Sequence, residues 1–159
     1  MTERKKIVLY NPNAVFWTMP LGLLAVGSAL DPERYEVKIV DARLEKDPLG
    51  AVLKECQDAL CLGMGVLTGD PIRDALKVSK AAKKLRPDLP VVWGGWHPSL
   101  FPKECLDDES VDVAVSGQGE ETFAEIVDRY ATGQDLEGVL GLTWRDADGV
   151  IDENSPRPT

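Results

Sequence analysis

Residues 91–98 read Val91-Val92-Trp93-Gly94-Gly95-Trp96-His97-Pro98: an apolar, strand-like run opens into two glycines and the only histidine of the chain. Two other apolar runs end in a similar way. Residues 111–115 open into Ser116-Gly117-Gln118-Gly119-Glu120-Glu121, and residues 59–63 open into Met64-Gly65-Val66-Leu67-Thr68-Gly69-Asp70. Loops that leave buried strands commonly carry binding residues. The three exits therefore predict one sheet edge that carries one site.

Length and composition favour one soluble domain. The chain has 159 residues, and single domains are commonly about 100 to 200 residues long. It is 43% hydrophobic and 28% charged, and no apolar run approaches the roughly 18 residues that span a bilayer. The N-terminus lacks the apolar core and cleavage site of a signal peptide, so we expect a cytoplasmic location and no membrane partner.

Charge and cysteine content exclude several classes of partner. The formal net charge is −9, which disfavours nucleic acid, because binding to it depends on Lys and Arg neutralising phosphates. The one lysine cluster forms either a solvated helix face or a phosphate track: Lys77, Lys80, Lys83 and Lys84. The cysteines lack the paired spacing of zinc sites and are interpreted as reduced thiols, partly in the core: Cys56, Cys61 and Cys105.

Hydrophobic periodicity predicts alternating strands and helices. Strands are predicted at residues 5–11, 35–40, 59–64, 91–93 and 111–115. Helices are predicted at residues 20–30, 48–57, 70–85 and 120–130, with a short helical turn at 101–106. Asp70 is predicted as the N-cap of the third helix, with Pro71 as its first residue. This alternation indicates an α/β, flavodoxin-like (Rossmann-like) fold: a five-stranded parallel sheet in the order 2-1-3-4-5, with helices on both faces.

The pattern changes after the last long helix. Residues 1–135 are predicted as the α/β domain, and residues 136–153 as a C-terminal β-hairpin extension around an Asp-Gly turn. Residues 154–159 are rich in proline and polar groups and are interpreted as a linker. In residues 35–40 the charged Glu36 and Lys38 alternate with apolar residues, which indicates one solvent-exposed face and predicts that this strand lies at a sheet edge.

The loops favour a flat, bulky ligand over a nucleotide. Asn11-Pro12-Asn13 follows the first strand where dinucleotide and P-loop sites need glycines and free amides. Flavin and phospho-receiver sites are also poorly matched there. Large apolar side chains stand among glycines that allow close backbone approach: Phe16, Trp17, Met19, Met64, Leu67 and Trp96. These features suit a cofactor of tetrapyrrole size, which the residues alone leave unnamed.

Four blocks of sequence resemble the N-terminal cobalamin (vitamin B12)-binding domain of cobalamin-dependent radical S-adenosylmethionine (radical SAM) enzymes. They are Asn11-Pro12 and residues 65–69, 91–98 and 111–122, and their order and spacing cover nearly the whole chain. The resemblance implies a corrin across the carboxyl ends of the strands and a nucleotide tail in a groove. S-adenosylmethionine and a [4Fe-4S] cluster would belong to a radical SAM domain, in cis or in trans, because the Cys-x-x-x-Cys-x-x-Cys motif is absent from this sequence.

The same resemblance implies which residues contact cobalamin. Thr68 and Gly69, with Gly94, Gly95 and His97, would contact the tail and the corrin amides. Gly117, Gly119 and Glu120 would contact the corrin rim, although acidic residues at a helix start are also favoured by the helix dipole alone. The remaining members of the expected site are Asn11, Phe16, Trp17, Met64 and Trp96.

No protein ligand to cobalt is expected. The Asp-x-His-x-x-Gly motif, which supplies a histidine from the loop after the first strand, is absent. The resemblance therefore implies a base-off, His-off corrinoid. Phe16 or Trp17 either caps its lower face or packs against the first helix. His97 either contacts the cofactor or hydrogen-bonds a neighbouring carbonyl.

Two other functions compete with this interpretation. A flavodoxin-like regulatory or protein-interaction module without a cofactor would share the fold and use the same loops for a partner. A small independent enzyme has little support, because no nucleophile, base and orienting group can be assembled around one histidine. We expect the chain alone to be non-catalytic and its parent to transfer a methyl group or to use cobalamin in a related reaction.

Overall fold

A computed structural model describes residues 3–16 and 19–159, and in this part of the chain seven strands form one sheet flanked by helices. In chain order the elements are β1 (Lys5–Asn11), α1 (Leu21–Ser28), β2 (Tyr35–Asp41), α2 (Pro48–Cys56), β3 (Ala59–Gly65), α3 (Asp70–Leu85), β4 (Val91–Gly94), α4 (Trp96–Leu100), α5 (Pro102–Cys105), β5 (Val113–Val115), α6 (Glu120–Ala131), β6 (Leu142–Arg145) and β7 (Ile151–Glu153).

The first five strands form the predicted parallel sheet. Their order is β2-β1-β3-β4-β5, and each neighbouring pair runs parallel. β3 lies centrally and carries no charged residue, as expected for a strand covered on both faces. β2 lies at the edge, with Lys38 exposed. The predicted flavodoxin-like order is confirmed.

The C-terminal hairpin joins the same sheet. β6 pairs antiparallel with β5, and β7 pairs antiparallel with β6, so the sheet order continues as β5-β6-β7. The turn follows from Asp146, whose carboxylate accepts hydrogen bonds from the main-chain N–H groups of Asp148 and Val150, both at 2.9 Å. The predicted hairpin thus forms, and it lengthens the sheet on the β5 side.

Two cores lie on opposite faces of the sheet. Because side chains alternate along a strand, Val8 and Tyr10 of β1 enter the core under α2 and α3. Ile7 and Leu9 enter the core under α1 and α6. Asn11, the next residue with the parity of Ile7 and Leu9, therefore directs its side chain to the α1/α6 face.

Two local predictions are wrong. Asp70 is the first residue of α3 rather than its N-cap; the cap position is Gly69, and no side chain caps the helix. His97, expected on a loop, lies in the short helix α4, which begins directly after Gly95. Gly95 has φ of +103°, a conformation that favours glycine, and it turns the chain from β4 into α4 with no intervening loop.

Candidate cofactor groove

A groove with a volume of about 400 Å³ opens at the carboxyl ends of β1, β3, β4 and β5. Its floor includes Gly63 and Gly65 of β3 and Gly94 of β4. Its walls are the first turns of α1 and α6, which contribute Leu23 and Phe123 among others. Parallel α/β sheets bind ligands at this edge, where the strand order reverses.

The glycines of the groove have different surroundings. A Cβ on Gly63 would lie 2.9 Å from Leu9 Cδ2 and 3.2 Å from Phe123 Cζ, so this glycine lets α6 pack closely on the sheet. A Cβ on Gly94 would meet only Val115 Cβ, at 3.8 Å. A Cβ on Gly117 would meet nothing within 4 Å. Gly94 and Gly117 therefore leave space into which a ligand can bring its own atoms against the main chain.

The lining of the groove is largely apolar and almost uncharged. Among the lining residues that the structure describes, Glu120 is the only ionisable one, and none is Lys, Arg or His. α1 supplies Leu21, Leu23 and Val26, while Met19 precedes it in the wall. Such a groove suits a bulky, mostly neutral ligand that is held by main-chain groups and packing.

Large apolar side chains are exposed on the segments that follow β1 and β4. Phe16 is 56% exposed and Met19 66% exposed before α1, and Trp96 is 68% exposed at the start of α4. Leu21, at the first residue of α1, is also 66% exposed. Of these residues, Met19 and Leu21 line the groove, so part of its wall is exposed apolar surface.

The structure brings about half of the predicted site residues together. Those that line the groove are Asn11, Met64, Gly94, Gly95, Gly117, Gly119 and Glu120. Those that the structure places outside its lining are Phe16, Thr68, Gly69, Trp96 and His97. Trp17 lies outside the described residues.

Met64 lines the groove, but its side chain belongs to the core on the opposite face of the sheet. Its side chain is 2% exposed and packs on the α2/α3 face, where Sδ lies 3.9 Å from the hydroxyl of Ser79. Its predicted contact with a cofactor would therefore be made by its peptide group.

His97 contacts residues on the other side of β4. Its Nδ1 lies 3.2 Å from Thr68 Oγ1, and its ring lies 5.3 Å from the ring of Phe101. It lines a second, smaller cavity of about 270 Å³, together with Trp93 and Asp108. The partner of the imidazole is thus a hydroxyl, and the ring stands outside the lining of the main groove.

A buried ion pair contacts Asn11, which lines the groove. Asn11 Nδ2 donates to Asp41 Oδ1 at 3.2 Å, and Arg43 donates to the two oxygens of Asp41 at 3.0 and 2.7 Å. The side chains of Asp41 and Arg43 are only 8% and 7% exposed. Hydrogen bonds from the Arg43 guanidinium hold the pKa of Asp41 below its ordinary value, against the opposing effect of burial.

A second carboxylate holds the loop that follows β1. Asp74 of α3 accepts hydrogen bonds from Tyr10 Oη at 2.7 Å and from the main-chain N–H of Asn13 at 2.8 Å. Burial, followed by donation to this carboxylate, raises the pKa of Tyr10, so its hydroxyl stays protonated. The root of the β1–α1 loop is therefore fixed to α3.

The model of the B12 binding domain family matches residues 9–127, which include the whole groove edge. The chain belongs to the B12-binding domain family. This match confirms the cobalamin-binding interpretation of the sequence blocks. In the described residues no helix has the length and apolarity needed to cross a membrane.

Several longer proteins contain a region that is similar to this chain. An uncharacterized methyltransferase of Pyrococcus horikoshii is 34% identical over 145 residues, which are 87% of this chain and 30% of that protein. The radical S-adenosylmethionine methyltransferase TsrM of Kitasatospora setae superimposes with a TM-score of 0.82 at 24% identity, over 97% of this chain and 29% of TsrM.

The cobalamin-dependent S-adenosylmethionine radical enzyme OxsB superimposes with a TM-score of 0.78 at 18% identity, over 99% of this chain and 23% of OxsB. At these identities the superpositions with TsrM and OxsB show a shared fold. The chain spans about 30% of the length of the curated relatives with which it aligns over most of its own length.

Proposed function

We propose that this B12-binding domain holds cobalamin base-off and His-off, with the nucleotide tail in the groove and the corrin across the carboxyl ends of the strands, for a radical SAM methyltransferase. The observation that carries the proposal is the glycine-floored groove, whose described lining contains neither histidine nor a basic residue. Structures of TsrM with cobalamin and a [4Fe-4S] cluster, and of OxsB with aqua-cobalamin and S-adenosylmethionine, support it by their shared fold.

The chemistry of the groove fits the tail of a corrinoid. The periphery of cobalamin consists mainly of neutral amides, and its tail ends in a flat, apolar benzimidazole. Main-chain groups at Gly94 and Gly117 can meet amides at close range, because little or nothing occupies the place of a Cβ there. Leu23, Val26 and Phe123 offer an apolar surface for the aromatic base.

The predicted site residues have distinct roles in this proposal. Gly94, Gly95, Gly117 and Gly119 present main chain to the tail and the corrin, and Asn11 supplies a polar side chain. Glu120 and the peptide group of Met64 also line the groove. The remaining predicted contacts are Phe16, Trp17, Thr68, Gly69, Trp96 and His97. Among them the aromatic side chains would cover the corrin, and Thr68 and His97 would meet its amides.

The residues of this domain bind and orient the cofactor. When bound, cobalamin supplies a cobalt centre that can carry a methyl group. No histidine lines the groove among the described residues, and the imidazole of His97 contacts Thr68, which supports a corrinoid without a protein ligand on cobalt. S-adenosylmethionine and the [4Fe-4S] cluster would be held by a radical SAM domain, in cis or in trans.

The remaining features of the chain agree with this assignment. Three reduced, buried cysteines suit a reducing compartment such as the cytoplasm: Cys56, Cys61 and Cys105. A net charge of −9 and a groove lining without described basic residues favour a cofactor partner over nucleic acid or an anionic membrane.

Titration of the purified domain with hydroxocobalamin and methylcobalamin tests the proposal. We expect saturable binding, together with the absorption changes that mark loss of benzimidazole coordination. Cobinamide, which lacks the nucleotide tail, should bind more weakly than cobalamin. Absence of binding by folded protein would overturn the cofactor assignment. A spectrum that keeps the coordinated benzimidazole would overturn the placement of the tail.

A further inference from the structure

Asn11 and Asp41 are partners at the last rung of the β1–β2 ladder, beside the groove. The parallel register sets Asn11 opposite Asp41, and the amide of Asn11 donates to the carboxylate at 3.2 Å. The backbone alternation of β1 directs Asn11 to the groove face, and Asn11 lines the groove. The pair therefore links a nearly buried carboxylate to a ligand-facing amide.

The orientation of the Asn11 amide follows from what Asp41 can do. Arg43 donates to Asp41 from its guanidinium at 3.0 and 2.7 Å and from its main-chain N–H at 3.1 Å, which keeps the carboxylate ionised. An ionised carboxylate only accepts hydrogen bonds, so the NH₂ group of Asn11 must face it. Asn11 Oδ1 then points elsewhere. Within residues 3–16 and 19–159, no protein donor in the observed hydrogen-bond network uses this oxygen.

We propose that Asp41 is a positioning residue that fixes Asn11 with its amide oxygen available to the groove, so that Asn11 selects an N–H donor on the ligand. The inference rests on the proposed function and specifies it further: the donor is a primary carboxamide on the edge of the corrin. A corrinoid with a carboxylate at the same position would lack that donor and would place a negative charge against the Asn11 oxygen. The site therefore distinguishes amidated from unamidated corrinoids.

Cobalamin derivatives in which one propionamide is hydrolysed to the acid test this selection, one derivative for each propionamide position. The wild-type domain should bind one of them about tenfold more weakly than cobalamin, which corresponds to one lost hydrogen bond. Asn11→Ala removes the oxygen and should abolish this preference. In Asp41→Asn the new amide can donate to Asn11, so the Asn11 side chain can rotate and present its NH₂ group to the groove. The same derivative should then bind nearly as tightly as cobalamin.

A matched control separates these effects from a general loss of charge. Asp58→Asn removes a carboxylate at the amino end of the sheet, where Asp58 pairs with Lys6, and should keep the wild-type preference. Circular dichroism checks that each variant is folded. If Asp41→Asn is unfolded, Asn11→Ala decides the test, because it leaves the pair between Asp41 and Arg43 intact.

The outcomes distinguish this inference from the proposed function. Failure of the wild-type domain to bind any corrinoid would overturn the proposed function, and this inference with it. Tight binding of cobalamin with no discrimination among the derivatives would overturn the inference alone. So would a preference that both Asn11→Ala and Asp41→Asn retain unchanged.

Discussion

Arg157 ties the segment after β7 to α6, and replacing it with alanine should destabilise the domain. Its Nε donates to Thr122 Oγ1 at 2.8 Å, Nη1 lies 3.0 Å from Glu121 Oε2, and Nη2 lies 2.9 Å from Glu125 Oε1. The side chain of Arg157 is only 16% exposed. Asn154, Ser155 and Arg157, predicted as part of a linker, are hydrogen-bonded to the body of the domain.

The size of the effect follows from the exposure of the three partners. Glu121 and Glu125 are 80% and 48% exposed, so each ion pair contributes about 0 to 1 kcal/mol. Thr122 is fully buried and still donates to the Leu140 carbonyl at 3.0 Å, so the bond lost there contributes about 0.5 to 1.5 kcal/mol. Arg157→Ala should lower the unfolding free energy by about 2 kcal/mol and the Tm by roughly 4 to 8 °C.

Thermal and urea denaturation, followed by circular dichroism, measure this loss. Arg157→Lys keeps the charge but not the forked geometry and should fall between wild type and Arg157→Ala. Lys103→Ala is a suitable control, because Lys103 and Glu153 form an exposed pair whose loss should change stability by less than about 0.5 kcal/mol. An Arg157→Ala protein as stable as the Lys103→Ala control would refute the anchoring of this segment.

Three further perturbations test the groove and its surroundings. Gly94→Leu should fold, because a Cβ there meets only Val115 Cβ at 3.8 Å. It should weaken cobalamin binding roughly tenfold or more in spectroscopic titration. The control Ala147→Leu, on the hairpin turn, should bind cobalamin as tightly as the wild type. Thiol alkylation at about pH 8, followed by mass spectrometry, should label the cysteines only after denaturation. Burial raises the pKa of each thiol, to about 12, 12 and 11 for Cys56, Cys61 and Cys105, and rapid labelling of folded protein would contradict this. Because the pKa of Asp41 is lower in the folded protein than in the unfolded one, its carboxylate stabilises the fold at pH values above the unfolded pKa. This contribution is lost as the pH falls below about 4. The unfolding free energy of Asp41→Asn, measured at decreasing pH, should therefore fall less steeply than that of the wild type. An identical pH dependence of the two proteins would argue against the buried pair.

The topology could be predicted because strand and helix patterns alternate along the chain. The charge-free run of β3 and the partly charged run of β2 distinguish a central from an edge strand, and right-handed crossovers then leave few possible orders. β1 was also predicted with its observed bounds, because apolar residues end at Asn11 and proline follows. The same topology predicts that the strand exits converge at one edge.

The face of each residue within a central strand could not be predicted. A strand buried on both sides shows no alternation between apolar and polar residues, so nothing in the run marks which parity faces the ligand. Met64, a large apolar side chain at a strand exit, was therefore assigned to the site, although its side chain packs under α3. Gly63 and Gly65, on either side of it, have the parity that faces the groove.

The walls and the ion pair depend on contacts that are distant in sequence. α1 is apolar on most of its surface, so periodicity gives no wet face and does not separate residues that pack on the sheet from those that line the groove. Leu21, an apolar residue that stays exposed and lines the groove, is the signal that could have indicated a ligand wall. The contact of Asn11 with Asp41 arises only from the register of two strands, and the two residues are 30 positions apart in the sequence.

Glycine at a strand exit serves at least two physical purposes here, and only one of them concerns the ligand. Gly63 admits Phe123, and a Cβ on Gly95 would lie 3.2 Å from the main chain of Val66, so both are required by packing within the domain. Gly94 and Gly117 have little or nothing at the place of a Cβ. A substitution at Gly63 or Gly95 would disturb folding whether or not cobalamin binds. Loss of binding without loss of stability is therefore diagnostic at Gly94, where φ is also ordinary, and it is there that a side chain reports on the ligand alone.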